Sequence, residues 1–320
     1  MYKFQPIYKT TVWGGARIAS FKGVETALTH VGESWELSGV EGSESVVAEG
    51  PFQGLSLAAL IEQQGAALVG QKNLARFGTE FPLLIKFIDA HDDLSIQVHP
   101  DDTLAMARHG KHGKTEMWYI LDAEPQASLI AGFNTSINSA QYEQLVAEDR
   151  LVEVLARLSV KAGDCFFLPA GRVHAIGAGT LLAEIQQTSD VTYRIYDYGR
   201  MGLDGKPRAL HTEEAREAID YRLYDDYRTH YTATPDKGVE LVQCEHFTTE
   251  LYELSRPHTV DLSARDSFTA VICLAGEGSL TTDDGATLPI RQGETVLVAA
   301  RHQHLVMTPD ASMRLLTTHL

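Results

Sequence analysis

Cysteine is scarce in this chain. Cys165, Cys244 and Cys273 are its three thiols, and they lie far apart. An odd, scattered set does not make a disulfide framework. It points to buried free thiols in a cytoplasmic protein. Long apolar runs are missing as well. No stretch approaches the roughly 20 apolar residues of a membrane helix. Met1 to Pro6 lead into polar residues without the apolar region of a signal peptide. No membrane partner and a cytoplasmic location are therefore expected. Positive charge is in deficit: 27 Lys and Arg stand against 43 Asp and Glu, a formal net charge of −16. That argues against a nucleic-acid-binding surface. No Gly-x4-Gly-Lys-Ser/Thr loop and no Gly-x-Gly-x-x-Gly fingerprint occurs, so nucleotide chemistry is not suggested. An anionic small substrate would need local cations. Lys86, Lys114, Arg172, Arg194 and Arg200 supply them in a few short blocks.

Those blocks are the most informative part of the sequence. Ser95 to Asp102 offers His99 with Gln97 beside it, Lys114 to Leu121 offers Glu116, and Gly163 to His174 offers His174. Strand side chains alternate faces, so Gln97 and His99 share one side of their strand. Glu116 shares a side with Trp118 and Ile120. Two imidazoles, a carboxylate and an amide suit a divalent metal, and a catalytic metal needs few protein ligands. Taken singly, each residue has a plainer reading, as a hydrogen-bonded histidine or a surface carboxylate. The joint pattern favours a metal. The third block also follows Gly-x5-Pro-x-Gly-x2-His, which resembles the second motif of cupin barrels.

The 320 residues, 44% hydrophobic and 22% charged, are those of an ordinary globular chain with room for two domains. Short strands are expected at 33–38 and 45–48, and a strongly apolar one at 81–89. Helices are expected from Ser56, as N-cap, to Gly65, over 139–158, and over 212–221. After Glu240 the pattern is short strands and turns. An internal repeat aligns Val160–His174 with Ile290–His304 without gaps. It places His304 at the position of His174 and Thr269 at that of Glu116. The expected fold is mainly β: two cupin-type jelly-roll β-barrels with a small helical insertion. Residues 1–240 would form the catalytic domain, with helical insertions at about 56–70 and 139–158. Residues 241–320 would form a C-terminal barrel without metal.

Further motifs carry a family resemblance over most of the chain. They are Val12-Trp-Gly-Gly15, Gly32-Glu-Ser-Trp35, Phe81-Pro-Leu-Leu-Ile-Lys86, Leu94 to Asp102, Gly113 to Tyr119, Leu168 to Ala175 and, most densely, Glu184 to Tyr198. Together they resemble type I mannose-6-phosphate isomerases in their short bacterial form. The Asn-His-Lys-Pro-Glu block and large helical domain of the long form are lacking. The resemblance implies one zinc per chain held by His99, Glu116 and His174, with Gln97 where longer members use a glutamine ligand. It places Arg194 at the active-site arginine and Lys114 at a substrate-pocket lysine. The implied reaction interconverts mannose 6-phosphate and fructose 6-phosphate through a cis-enediol. Arg194 stays protonated, so it suits an electrostatic clamp. Glu184 is a candidate base, or else positions Arg194 or Lys114. Lys86 and Lys114 are candidate phosphate partners, or else solvated charges. A non-haem iron cupin oxygenase and a non-catalytic sugar-binding cupin are the rival readings. The partner expected is a small sugar phosphate; oligomeric state is left open.

Overall fold

Alternating apolar residues give the strands of the first half two unlike faces, and two antiparallel sheets enclose one core between them. The computed structural model describes residues 1–320. One sheet has seven strands, in the spatial order Arg228–Thr229, Cys165–Leu168, Glu116–Ala123, Thr180–Gln187, Leu83–Ala90, Ile7–Gly15 and Val31–Ser38. The other has five, in the order Tyr193–Tyr196, Ile96–Val98, His174–Ile176, Ser128–Phe133 and Leu155–Ser159. Ile88, Trp118, Ile120 and Leu182 of the larger sheet pack against Leu129, Ala131 and Ile176 of the smaller. The opposite face of the larger sheet carries Ile85, Phe87, Met117 and Ile185. These join Leu57, Leu60 and Ile61 of a helix and Phe268, Ile272 and Leu316 of the C-terminal half in one buried cluster of 29 residues. At roughly 2 kcal/mol per buried large side chain, this is a firm tie between the halves.

The C-terminal half is a single eight-stranded sheet built on two long strands, Thr269–Thr282 and His304–His319. Its own core includes Val271, Leu280, Val296 and Met307. The first strand of the chain, Tyr2–Lys3, pairs with Thr295–Val298 at one edge of this sheet. The repeat read in the sequence is reproduced in the ladders. Glu116 lies opposite Leu168, and Thr269 lies opposite Val298, its aligned counterpart.

The expected pair of jelly-roll barrels is not what forms. No sheet closes on itself: the seven-stranded sheet runs from Arg228–Thr229 to the paired strands Ile7–Gly15 and Val31–Ser38, the five-stranded from Tyr193–Tyr196 to Leu155–Ser159. Closure needs ladder hydrogen bonds between the terminal strands. Several edge strands are two to five residues long and do not bridge the gap. The halves are open sheets, packed face to face in the first half and folded around a core in the second.

Local signals were more literal. Ser56 caps Leu57–Gln64 through its side chain. Asn138 closes a capping box on Ser139–Ala147. The helix expected over 139–158 stops there, however. Asp149 takes a left-handed φ of 55°, and a 3-10 turn, Leu151–Val154, leads into the strand Leu155–Ser159. The helix expected over 212–221 is Thr212–Ala218. At 45–48 only isolated bridges form.

Candidate metal centre

The two sheets meet at a buried group of three ligands: His99, Glu116 and His174, whose ligand atoms all lie within 4.8 Å of one another. His174 opens its strand and lies opposite Gln97 in the five-stranded sheet. Glu116 opens a strand of the facing sheet. The turn before His174 fixes both imidazoles. Gly171, at φ 89°, has the Ala218 carbonyl 2.9 Å from where a Cβ would stand, so both conformation and space favour glycine. Its N–H donates to the His99 carbonyl. The Arg172 carbonyl accepts from His174 Nδ1 (2.8 Å), and the Val191 carbonyl accepts from His99 Nδ1 (2.9 Å). A carbonyl only accepts, so both Nδ1 atoms carry the proton and both Nε2 lone pairs point into the centre.

The electrostatics agree. Burial, then the charge of Lys114, pushes His99 well below the ordinary imidazole range, and the same causes bring His174 to about 4. Both rings are neutral near pH 7, as metal ligands must be. His174 Nε2 lies 3.2 Å and His99 Nε2 3.6 Å from the Glu116 oxygens. Tetrahedral ligands about 2.0–2.1 Å from a zinc ion would stand about 3.3 Å apart. Lys114 Nζ lies 2.8 Å from Glu116 Oε2, and Glu116 Oε1 is buried without a hydrogen-bond partner. Burial, then the charge of Glu184, raises Glu116 against the pull of Lys114. A cation at this point would satisfy those oxygens and both lone pairs. The donor set fits a divalent metal.

The other sequence-predicted residues fall into two groups. Gln97 and Lys114 join the centre. Gln97 Nε2 is 3.3 Å from His174 Nε2, and Lys114 Nζ is 3.0 Å from His99 Nε2. Lys86 and Glu184 are direct cross-strand partners, and Trp118 flanks Glu184 on its other side. Glu184 accepts from the Trp118 indole (2.8 Å) and pairs with Lys86 (2.9 Å). Burial alone would raise Glu184, but Lys86 and Lys114 outweigh it and hold it at about 2. Lys86 is raised by Glu184 and Glu33, which overcome its burial.

Arg194 lies opposite Gln97, one strand away from His174. Its guanidinium donates to Ser95 Oγ (3.3 Å) and the Ala209 carbonyl (3.1 Å) rather than to a metal ligand. Burial, then Arg208, lowers its proton affinity. Arg200 and Arg208 both pair with the buried Asp197. Two guanidiniums thus share one carboxylate, and Arg194 feels the charge of all three groups. Arg208 and Asp197 were missed in the sequence, where Tyr193-Arg-Ile-Tyr-Asp197 was the only local cue.

Glu184→Gln would leave Lys86 with Glu33 alone, 3.6 Å away. A loss of about 3 kcal/mol of stability is expected, near the lower bound for a broken buried pair. Because the folded carboxyl is depressed, its contribution is complete above about pH 4.3 and fades as pH falls toward about 2. Urea melts should show the gap between wild type and variant closing below that window. A constant gap would rule out the ion pair as its source.

Two neutral histidines and a glutamate with a lysine at their edge, set between facing β-sheets, suit an enzyme that holds a divalent metal. A model of the type I phosphomannose isomerase catalytic domain matches residues 1–141, and one of the mannose-6-phosphate isomerase cupin domain matches residues 237–319. Mannose-6-phosphate isomerase ManA of Bacillus subtilis (strain 168) is 35% identical over 298 residues, 92% of this chain and 91% of ManA. The mannose-6-phosphate isomerase of Streptococcus mutans is 34% identical and is aligned over 84% of this chain and 83% of its own. A crystal structure of the mannose 6-phosphate isomerase from Bacillus subtilis superposes with a TM-score of 0.89 at 30% identity, over 100% of this chain and 99% of that one. The chain belongs to the type I mannose-6-phosphate isomerase family. The iron-oxygenase and non-catalytic readings lose their support.

Proposed function

We propose that this chain is a zinc-dependent aldose–ketose isomerase that interconverts mannose 6-phosphate and fructose 6-phosphate by proton transfer through a cis-enediol. The observation that carries this reading is the convergence of His99 Nε2, His174 Nε2 and the buried Glu116 carboxylate beside Lys114. It occurs in a chain aligned with such isomerases over most of its length. One zinc per chain would be held by His99, Glu116 and His174, with Gln97 as a weaker neighbour. When bound, zinc supplies Lewis-acid polarisation of the substrate's O1 and O2.

The chain's own residues do the rest. Lys114, beside two of the ligands, is the proton-carrying group nearest the metal. Glu184 is held ionised by Lys86 and Trp118 and is a poor base at neutral pH, so it positions Lys86 rather than taking the C2 proton. The phosphate is read at the Arg194, Arg200 and Arg208 cluster, where positive charge exceeds negative. Remote phosphate binding of this kind supplies energy that orients the reacting carbons. Arg194 links the two ends, through its ladder position beside Gln97.

The same reading assigns catalysis to residues 1–240 and a supporting role to 241–320. The three thiols are unpaired, and no helix is long and apolar enough to cross a membrane. We place the enzyme in the cytoplasm, acting on a small sugar phosphate. In the C-terminal half His302 pairs with Asp283 while His304 lies exposed near Asp261. A His302→Ala/His304→Ala variant should therefore keep one zinc per chain and near-native turnover. A fall from two zincs to one would show a second metal site there. The proton route is read by running the reaction in deuterated water. Deuterium should enter C1 of fructose 6-phosphate and C2 of mannose 6-phosphate. Product free of deuterium after full equilibration would exclude an enediol whose proton exchanges with solvent.

A further inference from the structure

The strand Thr180–Gln187 runs beside the strand that Glu116 opens, and Gln186 is left without a task by the reaction above. It lies directly opposite Glu116 in the antiparallel ladder, so both side chains leave the same face of the sheet. On that row its other cross-strand neighbour is Leu84, and Leu168 stands beyond Glu116. Apolar residues fill those places, so packing alone does not require an amide between them.

The orientation of the Gln186 amide is fixed. Nε2 donates to the Gln187 carbonyl and to the Ser189 carbonyl, each at 2.8 Å. Carbonyls only accept, so the nitrogen faces the turn and the oxygen faces away from it. Oε1 is buried with no donor, in a residue with 0% of its surface exposed. A buried acceptor without a donor is rare and costly. The side-chain donors beside Glu116 and Glu184 have partners of their own. Lys114 is held by His99 and Glu116, and the Trp118 indole by Glu184.

We propose that Gln186 Oε1 accepts a hydrogen bond from a hydroxyl of the bound sugar at a carbon that does not react, and so determines which sugar is accepted. The proposal rests on the isomerase reading of the site. The reacting oxygens are on C1 and C2, and the phosphate is on C6. The hydroxyls on C3 and C4 lie between and are the ones an acceptor beside Glu116 can read.

The test compares mannose 6-phosphate with its 3-deoxy and 4-deoxy analogues in zinc-loaded wild type and Gln186→Met. Turnover gives kcat/KM, and calorimetry gives the affinity of the three corresponding hexitol 6-phosphates, which cannot isomerise. In wild type one deoxy sugar should lose about 10- to 100-fold against the parent, because the acceptor is then left unpaired. In Gln186→Met that ratio should fall to near one, while the ratio for the other deoxy sugar stays as in wild type. A residue that only braces the 187–189 turn would weaken all three sugars alike and leave both ratios unchanged. That result overturns the proposal. Wild type that binds the hexitols without isomerising any sugar would refute the reaction but still decide Gln186 from the binding ratios. Wild type that binds none of them overturns both. Zinc content and circular dichroism confirm that the variant is intact, and Gln186→Leu, which matches Leu84 and Leu168, replaces it if it is not.

Discussion

His174→Ala is expected to strip most of the zinc from the protein and to lower turnover by at least about 10²-fold, the scale of losing one well-aimed electrostatic group. The centre offers three strong ligands, so none is spare. His174 contributes a neutral Nε2 held in place by the Arg172 carbonyl and packed edge-on to Trp118. Alanine removes the lone pair and leaves the Glu116 carboxylate buried beside Lys114 with one imidazole. His99→Ala and Glu116→Ala should behave alike. Gln97→Ala should be milder, at about 10-fold, because the amide supports the ring more than the ion. Metal analysis alongside initial rates checks each variant. Unchanged zinc and unchanged turnover in any one of the three would remove that residue from the centre.

Arg194→Lys is the second large effect. Lysine keeps the charge but loses the planar fork that reaches Ser95 Oγ and the Ala209 carbonyl together. The ammonium would also face Arg200 and Arg208 without spreading its charge. A fall in kcat/KM of about 10²- to 10³-fold is expected, with zinc content and melting behaviour kept. Because the guanidinium touches no metal ligand, loss of zinc in this variant would contradict its placement as a substrate clamp. Wild-type kinetics would contradict the clamp itself.

The metal centre was legible because strand alternation and turn chemistry are local. Gln97 and His99 sit two apart, on the strand Ile96–Val98 and one residue past its end. The Pro-x-Gly turn announces where His174 emerges. The repeat was legible for the same reason, since Gly-acidic turns recur before the strands that begin at Cys165 and Thr295. Sheet closure was not, because alternation tells which face of a strand is buried and says nothing about which edges pair. The helix over 139–158 was overextended because the apolar spacing of Leu145, Leu151 and Leu155 continues past the break at Asp149, where backbone conformation rather than pattern decides. The Lys86–Glu184 pair was hidden for a third reason. Lys86, Glu184 and Trp118 come from distant segments and meet only when the ladder register is set. Read from sequence, Lys86 is a candidate phosphate partner or a solvated charge, and its pairing with Glu184 is visible only in the structure.

Isomerisation of mannose 6-phosphate by this chain should need a metal at His99, Glu116 and His174. The most direct measurement is a coupled assay for fructose 6-phosphate formed from mannose 6-phosphate. It compares protein as purified, the same protein after chelation and dialysis, and the dialysed protein with one equivalent of zinc restored. Turnover is expected, with its loss on chelation and its recovery with a single zinc per chain. Full activity in protein shown to be free of metal, or no fructose 6-phosphate from the zinc-loaded chain, would contradict it.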